Sequence, residues 1–178
     1  MEYSTLDKLG VRVSRLGFGC MRFPLTAEGK IDEPRAAAML DTAYKAGVTY
    51  YDTAYFYHQH TGEAFLGRAM KRYPRDTFYL ATKMPMSIVE SLDHAKEIFE
   101  GQLAALQTDY VDFYLLHAIN GERWKQAQEM GIVDFLLEMQ KAGRIRHFGF
   151  SFHGSYEEFE TILTARDWDF CQIHFNYM

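Results

Sequence analysis

The chain has 178 residues, of which 48% are hydrophobic and 24% are charged, and its formal net charge is −5. This is the composition of a soluble globular domain with enough apolar side chain for a core, and it excludes a disordered chain. Positive residues are interspersed with negative ones, so neither nucleic acid nor an anionic membrane is an expected partner. A small-molecule substrate fits this surface better.

The chain carries no predicted membrane or targeting segment. No apolar run approaches the roughly 20 residues that a membrane helix requires, and the opening MEYSTLDKLG lacks the apolar core of a signal peptide. We therefore expect a cytoplasmic protein.

Cys20 and Cys171 are far apart and form no CxxC motif, so we expect reduced thiols and neither a disulfide framework nor a cysteine metal site.

The predicted elements begin with two short alternating segments, 3–6 and 11–15, which suit a β-hairpin placed before the main fold. A strand-and-helix unit then recurs, and its first helix has an apolar face formed by Ala36, Met39, Leu40 and Ala43. Strands are predicted at 16–20, 48–51, 78–82, 111–116, 145–150 and 170–175, and helices at 32–46, 63–72, 88–106, 132–139 and 156–164. The segment 111–116 has no polar alternation, which predicts a strand that is buried on both faces.

Strands that recur about every 30 residues with a helix between them predict parallel pairing through right-handed crossovers. Both a barrel and a doubly wound sheet meet this condition. A doubly wound nucleotide-binding fold would be expected to carry GxGxxG at its first turn, and only Gly17-Phe18-Gly19 is present there. The regular spacing favours an α/β fold of the (β/α)8 barrel type, here with about six βα units.

Polar side chains follow the predicted barrel strands at the points where the strands end. They are Asp52, with Tyr57 just beyond it, Lys83, His117 and Ser151. In a (β/α) barrel these ends converge on one mouth, which is where the reacting groups gather. The sequence therefore predicts a site that contains a carboxylate, a phenol, an ammonium and an imidazole.

These groups suit the reduction of a carbonyl, which places negative charge on the carbonyl oxygen and needs a proton donor there. Tyr57 is the candidate donor, and a buried ammonium at Lys83 would favour release of the phenol proton. Asp52 would keep Lys83 charged. His117 would either orient the carbonyl through a hydrogen bond or share in proton delivery, depending on its protonation state.

Structural explanations exist for each of these residues taken alone. Asp52-Thr53 is a common turn start, and the tyrosines around it suit an aromatic edge. Four such groups at successive strand ends favour a functional site over coincidence.

His58, His60 and His153 could suggest a metal, but they have no carboxylate or cysteine at ligand spacing, so we expect solvated loop histidines and no metal.

The same segments resemble the aldo-keto reductase family along the whole chain. They are DTAYFY at 52–57, ATKMP at 81–85, LQTDYVDFYLLH at 106–117, AGRIRHFGFS at 142–151 and QIHFN at 172–176. The resemblance implies that Asp52, Tyr57, Lys83 and His117 form the catalytic tetrad, with Tyr57 as general acid. GFGCMRFP at 17–24 and FSFHG at 150–154 are most similar to a bacterial branch that carries a C-terminal ferredoxin-like iron-sulfur segment.

The resemblance also implies a nicotinamide cofactor, NADPH or NADH. Ser151 and Gln172 would hold its carboxamide, and the backbone near Cys20 and Met21 would lie against it. Phe152 stands where many members of the family have Asn.

Length is the other difference from the family. A complete barrel takes about 250 residues. We therefore expect residues 1–178 to form one barrel domain that is truncated after its sixth strand, with open edges available to an oligomer or to a complementing segment.

Two classes of function follow from this reading. The first is an NAD(P)H-dependent oxidoreductase, or a fragment of one, that reduces aldehydes or ketones to alcohols by hydride transfer. The alternative is a truncated, non-catalytic half-barrel that serves as a binding or assembly module. A metal-dependent hydrolase on the same kind of barrel is disfavoured, because no HxH or carboxylate cluster follows the first strand.

Overall fold

The predicted strand-and-helix units are all found in a computed structural model, which describes residues 1–175. A two-stranded hairpin precedes a six-stranded parallel sheet whose strands are ordered as in the sequence. The hairpin strands are β1 Tyr3–Leu6 and β2 Val11–Ser14, and the parallel strands are β3 Phe18–Gly19, β4 Tyr50–Asp52, β5 Tyr79–Met84, β6 Val111–Ile119, β7 Ile145–Phe152 and β8 Phe170–Ile173. The sheet with its helices is an incomplete (β/α) barrel, as predicted.

The helices that cross between the strands are α1 Glu33–Lys45, α2 Gly62–Met70, α3 Leu92–Leu106, α4 Gly121–Glu129, α5 Ile132–Lys141 and α6 Tyr156–Thr164. None of the helices in the described part of the chain combines the length and the apolar content needed to span a bilayer. The sequence predicted that α3 begins at residue 88, but the helix begins at Leu92. The side chain of Ser91 accepts a hydrogen bond from the amide of His94 and so caps the helix there.

Helix α4 was not predicted from the sequence. Its N-cap is Asn120, whose side chain accepts a hydrogen bond from the amide of Arg123, and only Trp124 and Ala127 are buried. Two buried positions in nine residues form too weak a stripe for a periodicity argument. Apolar periodicity therefore does not reveal this helix.

The two faces of the parallel sheet pack in two different apolar layers. One layer forms where the hairpin meets the sheet: Leu6, Leu9, Val11 and Val13 pack against Tyr50, Tyr79, Ala81, Phe113, Leu115 and Phe170. Alternate residues of the same strands belong to the larger core shared with the helices, among them Leu80, Tyr114, Leu116, Phe148 and Phe150. Strand β6 contributes to both layers, which confirms the prediction that it is buried on both faces. Each large apolar side chain buried in this way stabilises the fold by about 1.5–3 kcal/mol.

An apolar groove of about 550 Å³ runs along the outer strand β3 and helix α1. Met39, which the pattern placed on the covered face of α1, is 43% exposed there, and Leu16 is 63% exposed. The pattern correctly identified an apolar face, and Ala36 and Leu40 on that face are fully buried. The described residues do not cover the part of the face that lies beyond β3.

Candidate active site

The carboxyl ends of the strands come together at one cleft of about 460 Å³. Parallel pairing aligns Asp52 with Ala81, Lys83 with Leu115 and Ser151 with Gln172, so the polar residues that end the strands lie at the same end of the sheet. The predicted site residues that line the cleft are Met21, Tyr57, Lys83, His117, Ser151 and Gln172. Asp52 lies behind them, bonded to Lys83.

Lys83 and Asp52 form a buried ion pair. The ammonium nitrogen of Lys83 lies 2.6 Å from Oδ1 of Asp52 and 2.7 Å from the carbonyl oxygen of Thr53, and the two side chains are 3% and 12% exposed. Buried charges require such partners, because each loses its hydration on folding. Oδ2 of Asp52 has no hydrogen-bond partner within residues 1–175. The site therefore contains a desolvated acceptor beside the ammonium.

Tyr57 reaches the same ammonium from the loop after β4. Its hydroxyl oxygen lies 3.5 Å from Nζ of Lys83, and its ring centroid lies 5.2 Å from that nitrogen. This separation is long for a hydrogen bond. The hydroxyl thus faces the cleft with a positive charge beside it.

The loop that follows Tyr57 turns through an unusual backbone conformation. His58, Gln59 and His60 have φ values of 52°, 55° and 68°, in the left-handed region that residues with a Cβ rarely adopt. The amide of Gly62 closes the turn by donating to the carbonyl of Tyr57 at 3.1 Å. A tight turn therefore separates Tyr57 from α2 and sets the position of its side chain.

His117 is the residue whose ionisation is most altered in the cleft. Burial lowers its pKa from 6.5 to about 4, and the charges of Lys83, His153 and Arg123 act in the same direction. Each of these effects disfavours the imidazolium ion. The ring is consequently neutral at pH 7, and a neutral imidazole carries one N–H donor.

Ser151 and Gln172 lie side by side at the ends of β7 and β8. Oγ of Ser151 accepts a hydrogen bond from the amide of Ala118 at 2.7 Å, and within the part of the chain that the structure describes its own proton has no acceptor. Gln172 is exposed to the cleft. The two side chains therefore keep donors and acceptors available to a small molecule.

Cys20 differs from the other predicted cofactor contacts. Its side chain is fully buried, burial raises the pKa of its thiol, and it does not line the cleft. Its carbonyl oxygen lies 3.1 Å from Nε2 of His58. Met21, by contrast, is 46% exposed and lines the cleft.

The prediction of solvated loop histidines was wrong for His58. Its Nε2 accepts a hydrogen bond from the amide of Phe23 at 3.3 Å, and its ring packs on the Phe23 ring at 5.4 Å between centroids. His60 and His153 are exposed, as expected. Among residues 1–175 no three His, Cys, Asp or Glu side chains are grouped so that they could hold a metal ion.

The sequence analysis missed a buried polar network behind Lys83. Nε2 of Gln102 donates to the carbonyl of Lys83 at 3.0 Å and to Oε1 of Glu63 at 2.8 Å, and the hydroxyl of Tyr114 donates to Oε1 of Gln102 at 2.6 Å. Burial raises the pKa of Glu63. A signal for the network does exist in the sequence, because Gln102 lies among the apolar residues of the buried face of α3, between Phe99 and Leu103.

The chain is a parallel half-barrel that carries at its strand ends a buried carboxylate and ammonium and a half-buried phenol and imidazole. A family model described as the aldo/keto reductase family matches residues 15–178. The chain belongs to the aldo/keto reductase family.

Known proteins that resemble the chain are aldo-keto reductases. Aldo-keto reductase YhdN of Bacillus subtilis (strain 168) is 31% identical over 171 residues, which cover 90% of this chain and 50% of the relative. The holo form of aldo-keto reductase AKR11C1 from Bacillus halodurans is 29% identical with a TM-score of 0.79, covering 98% of this chain and 58% of that one. The Klebsiella pneumoniae aldo-keto reductase in complex with NADPH is 25% identical with a TM-score of 0.69, covering 91% and 54%. The chain spans about half the length of the curated relatives it matches.

Proposed function

We propose that the chain supplies the acid–base half of a nicotinamide-dependent oxidoreductase that reduces aldehydes or ketones to alcohols. The observation that carries the proposal is the convergence of Asp52, Lys83, Tyr57 and His117 at one cleft, with the Lys83 ammonium 2.6 Å from Asp52 and 3.5 Å from the Tyr57 hydroxyl. Family membership supports the same reading.

In this proposal Tyr57 is the general acid. Negative charge grows on the carbonyl oxygen during reduction, and the phenol proton neutralises it. Lys83 stabilises the phenolate that remains, and Asp52 keeps Lys83 charged inside the protein. His117, being neutral at pH 7, donates a hydrogen bond that holds the carbonyl oxygen near the phenol.

The proposed cofactor is NADPH or NADH, which supplies the hydride when bound. The residues present fit its carboxamide group, because Ser151 has a proton with no acceptor in the described residues and Gln172 offers both a donor and an acceptor. Met21 lines the same cleft. NADPH in the Klebsiella pneumoniae structure is consistent with this choice of cofactor.

Cofactor binding tests this proposal against the non-catalytic alternative. Titration of the purified chain with NADPH, followed by the cofactor's fluorescence, should show saturable binding, because the cleft retains the carboxamide-binding side chains. Gln172→Ala should weaken binding about tenfold, the usual effect of one lost hydrogen bond. Gln128→Ala, an exposed position on α4, is the matched control and should bind as the wild type does. No saturable binding would favour an assembly module.

The open edges of the sheet lead to a second prediction. We propose that residues 1–178 are one barrel domain; positions 176–178 lie outside the described residues. Strands β3 and β8 are the outer strands of the sheet, and exposed apolar side chains such as Leu16 and Ile173 lie at these edges. Such edges favour pairing with another chain.

We expect the isolated chain to associate through those edges or to depend on a complementing segment. It should show weak turnover or none, because a cofactor held at one end is poorly positioned. Light scattering combined with a steady-state NADPH assay measures both properties. A compact monomer with robust reductase activity would contradict the prediction.

A further inference from the structure

The peptide that follows His117 has a conformation that its sequence disfavours. Ala118 has φ 48°, in the left-handed region, where an alanine Cβ crowds the backbone. The pairing of β6 with β7 is regular up to Leu116 and shifts register before Ile119. His117 and Ala118 therefore form a bulge, and bulges next to active sites redirect a side chain.

Side chains from two other elements hold this peptide at both of its polar atoms. Oγ of Ser151, on β7, accepts from the amide of Ala118 at 2.7 Å. Nη1 of Arg123, on α4, donates to the carbonyl of Ala118 at 2.8 Å. A backbone conformation that is unfavourable by itself persists only where its surroundings over-determine it. These two contacts come from different elements and provide that constraint.

The position of Arg123 is itself well defined. Its backbone amide donates to Oδ1 of Asn120 at 3.0 Å, and this contact caps α4. The amide of Gly121, in the first turn of the same helix, donates to Oε1 of Glu158 at 2.9 Å. Glu158 belongs to α6. The start of α4 is thus fastened to a second helix, so the guanidinium reaches Ala118 from a rigid base.

We propose that Ser151 and Arg123 are positioning residues that hold the Ala118 peptide in its left-handed conformation and thereby direct the imidazole of His117 into the cleft. The importance of this for reduction rests on the proposed function, in which His117 binds the carbonyl oxygen. The structural part of the proposal does not depend on that function.

Arg123 has a second effect on His117 through its charge. No carboxylate lies within ion-pair distance of its guanidinium in the part of the chain that the structure describes. The charged and titratable groups that act on His117 are Lys83 on β5, His153 after β7 and Arg123 on α4. All three disfavour the imidazolium ion. Arg123 therefore helps to keep His117 neutral as well as oriented.

Ser151 links the Ala118 peptide to the cofactor-binding side of the cleft. A serine hydroxyl can accept one hydrogen bond while it donates another. Oγ of Ser151 accepts from Ala118 and can still donate to a carboxamide oxygen. A cofactor that engages Ser151 would thus act on the peptide beside His117 through one shared oxygen atom.

Amide exchange and histidine titration, both followed by NMR on the full chain, test the proposal without any assay of activity. Ser151→Ala should speed hydrogen exchange at the amide of residue 118 about tenfold, because its acceptor is lost. Arg123→Met should raise the pKa of His117 above its value of about 4, because a neighbouring positive charge is removed. Lys125→Met removes an exposed charge from the same helix and should change neither quantity.

Two further variants separate charge from position. Arg123→Lys keeps the positive charge, so the pKa of His117 should stay closer to the wild-type value than in Arg123→Met. Arg123→Met should also speed exchange at the amide of residue 118, because the carbonyl of Ala118 loses its donor. Ala118→Gly should restore slow exchange to that chain in part, because glycine adopts positive φ without a Cβ clash. Unchanged exchange in Ser151→Ala together with an unchanged His117 titration in Arg123→Met would overturn the proposal. Absence of carbonyl reduction by the wild type in a complete or complemented barrel, with the two NMR results as expected, would refute the proposed function alone.

Discussion

Replacing Tyr57 by Phe is expected to lower the rate of carbonyl reduction by about a thousandfold or more when the chain is assayed in a complete or complemented barrel. The substitution removes the only atom that the proposal uses for proton transfer and keeps the ring that faces Lys83 at 5.2 Å. NADPH binding should be nearly unchanged, because Ser151 and Gln172 are untouched. Steady-state kinetics and a fluorescence titration measure the two effects separately.

Tyr55→Phe is the matched control for this variant. Tyr55 lies in the same loop, is half-buried and packs edge-on against Phe56 at 5.5 Å between ring centroids. Loss of its hydroxyl should leave the rate within a few-fold of the wild type. If Tyr57→Phe kept most of the activity, Tyr57 would not be the general acid, and the arrangement around Lys83 would need another explanation.

The replacement of Lys83 by Met is expected to lower the free energy of unfolding by about 3–5 kcal/mol as well as to abolish most reduction. The variant leaves the Asp52 carboxylate buried without its counter-charge, although the Met side chain fills nearly the same volume. The carboxylate already has one oxygen without a partner in the described chain, so it cannot easily recover the lost interaction. Denaturant unfolding monitored by circular dichroism gives the free energy directly.

A double-mutant cycle identifies the cause of that loss. Lys83→Met combined with Asp52→Leu removes both charges, and its stability should lie closer to the wild type than that of Lys83→Met alone, because no unpaired charge remains buried. Lys45→Met provides the surface comparison: Lys45 pairs with Asp41 at 2.6 Å but is 73% exposed, so its loss should cost about 0–1 kcal/mol. Equal stability of Lys83→Met and the wild type would show that the ammonium does not compensate Asp52.

The predicted order of strands and helices agrees with the structure because it depends on local periodicity. The apolar runs at β5, β6 and β7 and the stripe of α3 follow from residue spacing within one element. The convergence of Asp52, Lys83 and His117 was also predictable, since parallel strands in sequence order bring their carboxyl ends to the same edge. The polar residue at the end of each apolar strand was sufficient to predict that these side chains converge.

Other features depended on contacts between residues distant in the sequence. Helix α4 has two buried positions and is held in part by Glu158 of α6, so no local pattern revealed it. His58 was taken for a solvated residue, yet the segment that ends at Phe23 folds against it. Met39 was taken for a covered residue, yet the described chain has nothing beyond β3 to cover it.

The amino-acid sequence by itself determined the fold class, the order of the elements and the identity of the residues at the strand ends. These follow from the spacing of apolar residues along the chain, which is two residues in a strand and three to four in a helix. Only the tertiary structure decided the chemistry of those residues. The low pKa of His117 results from burial and from charges on three other segments, and the hydrogen bonds to the peptide that follows it come from Ser151 and Arg123 on other elements. Desolvation and long-range hydrogen bonds depend on what surrounds a group in space, and spacing along the chain does not contain that information.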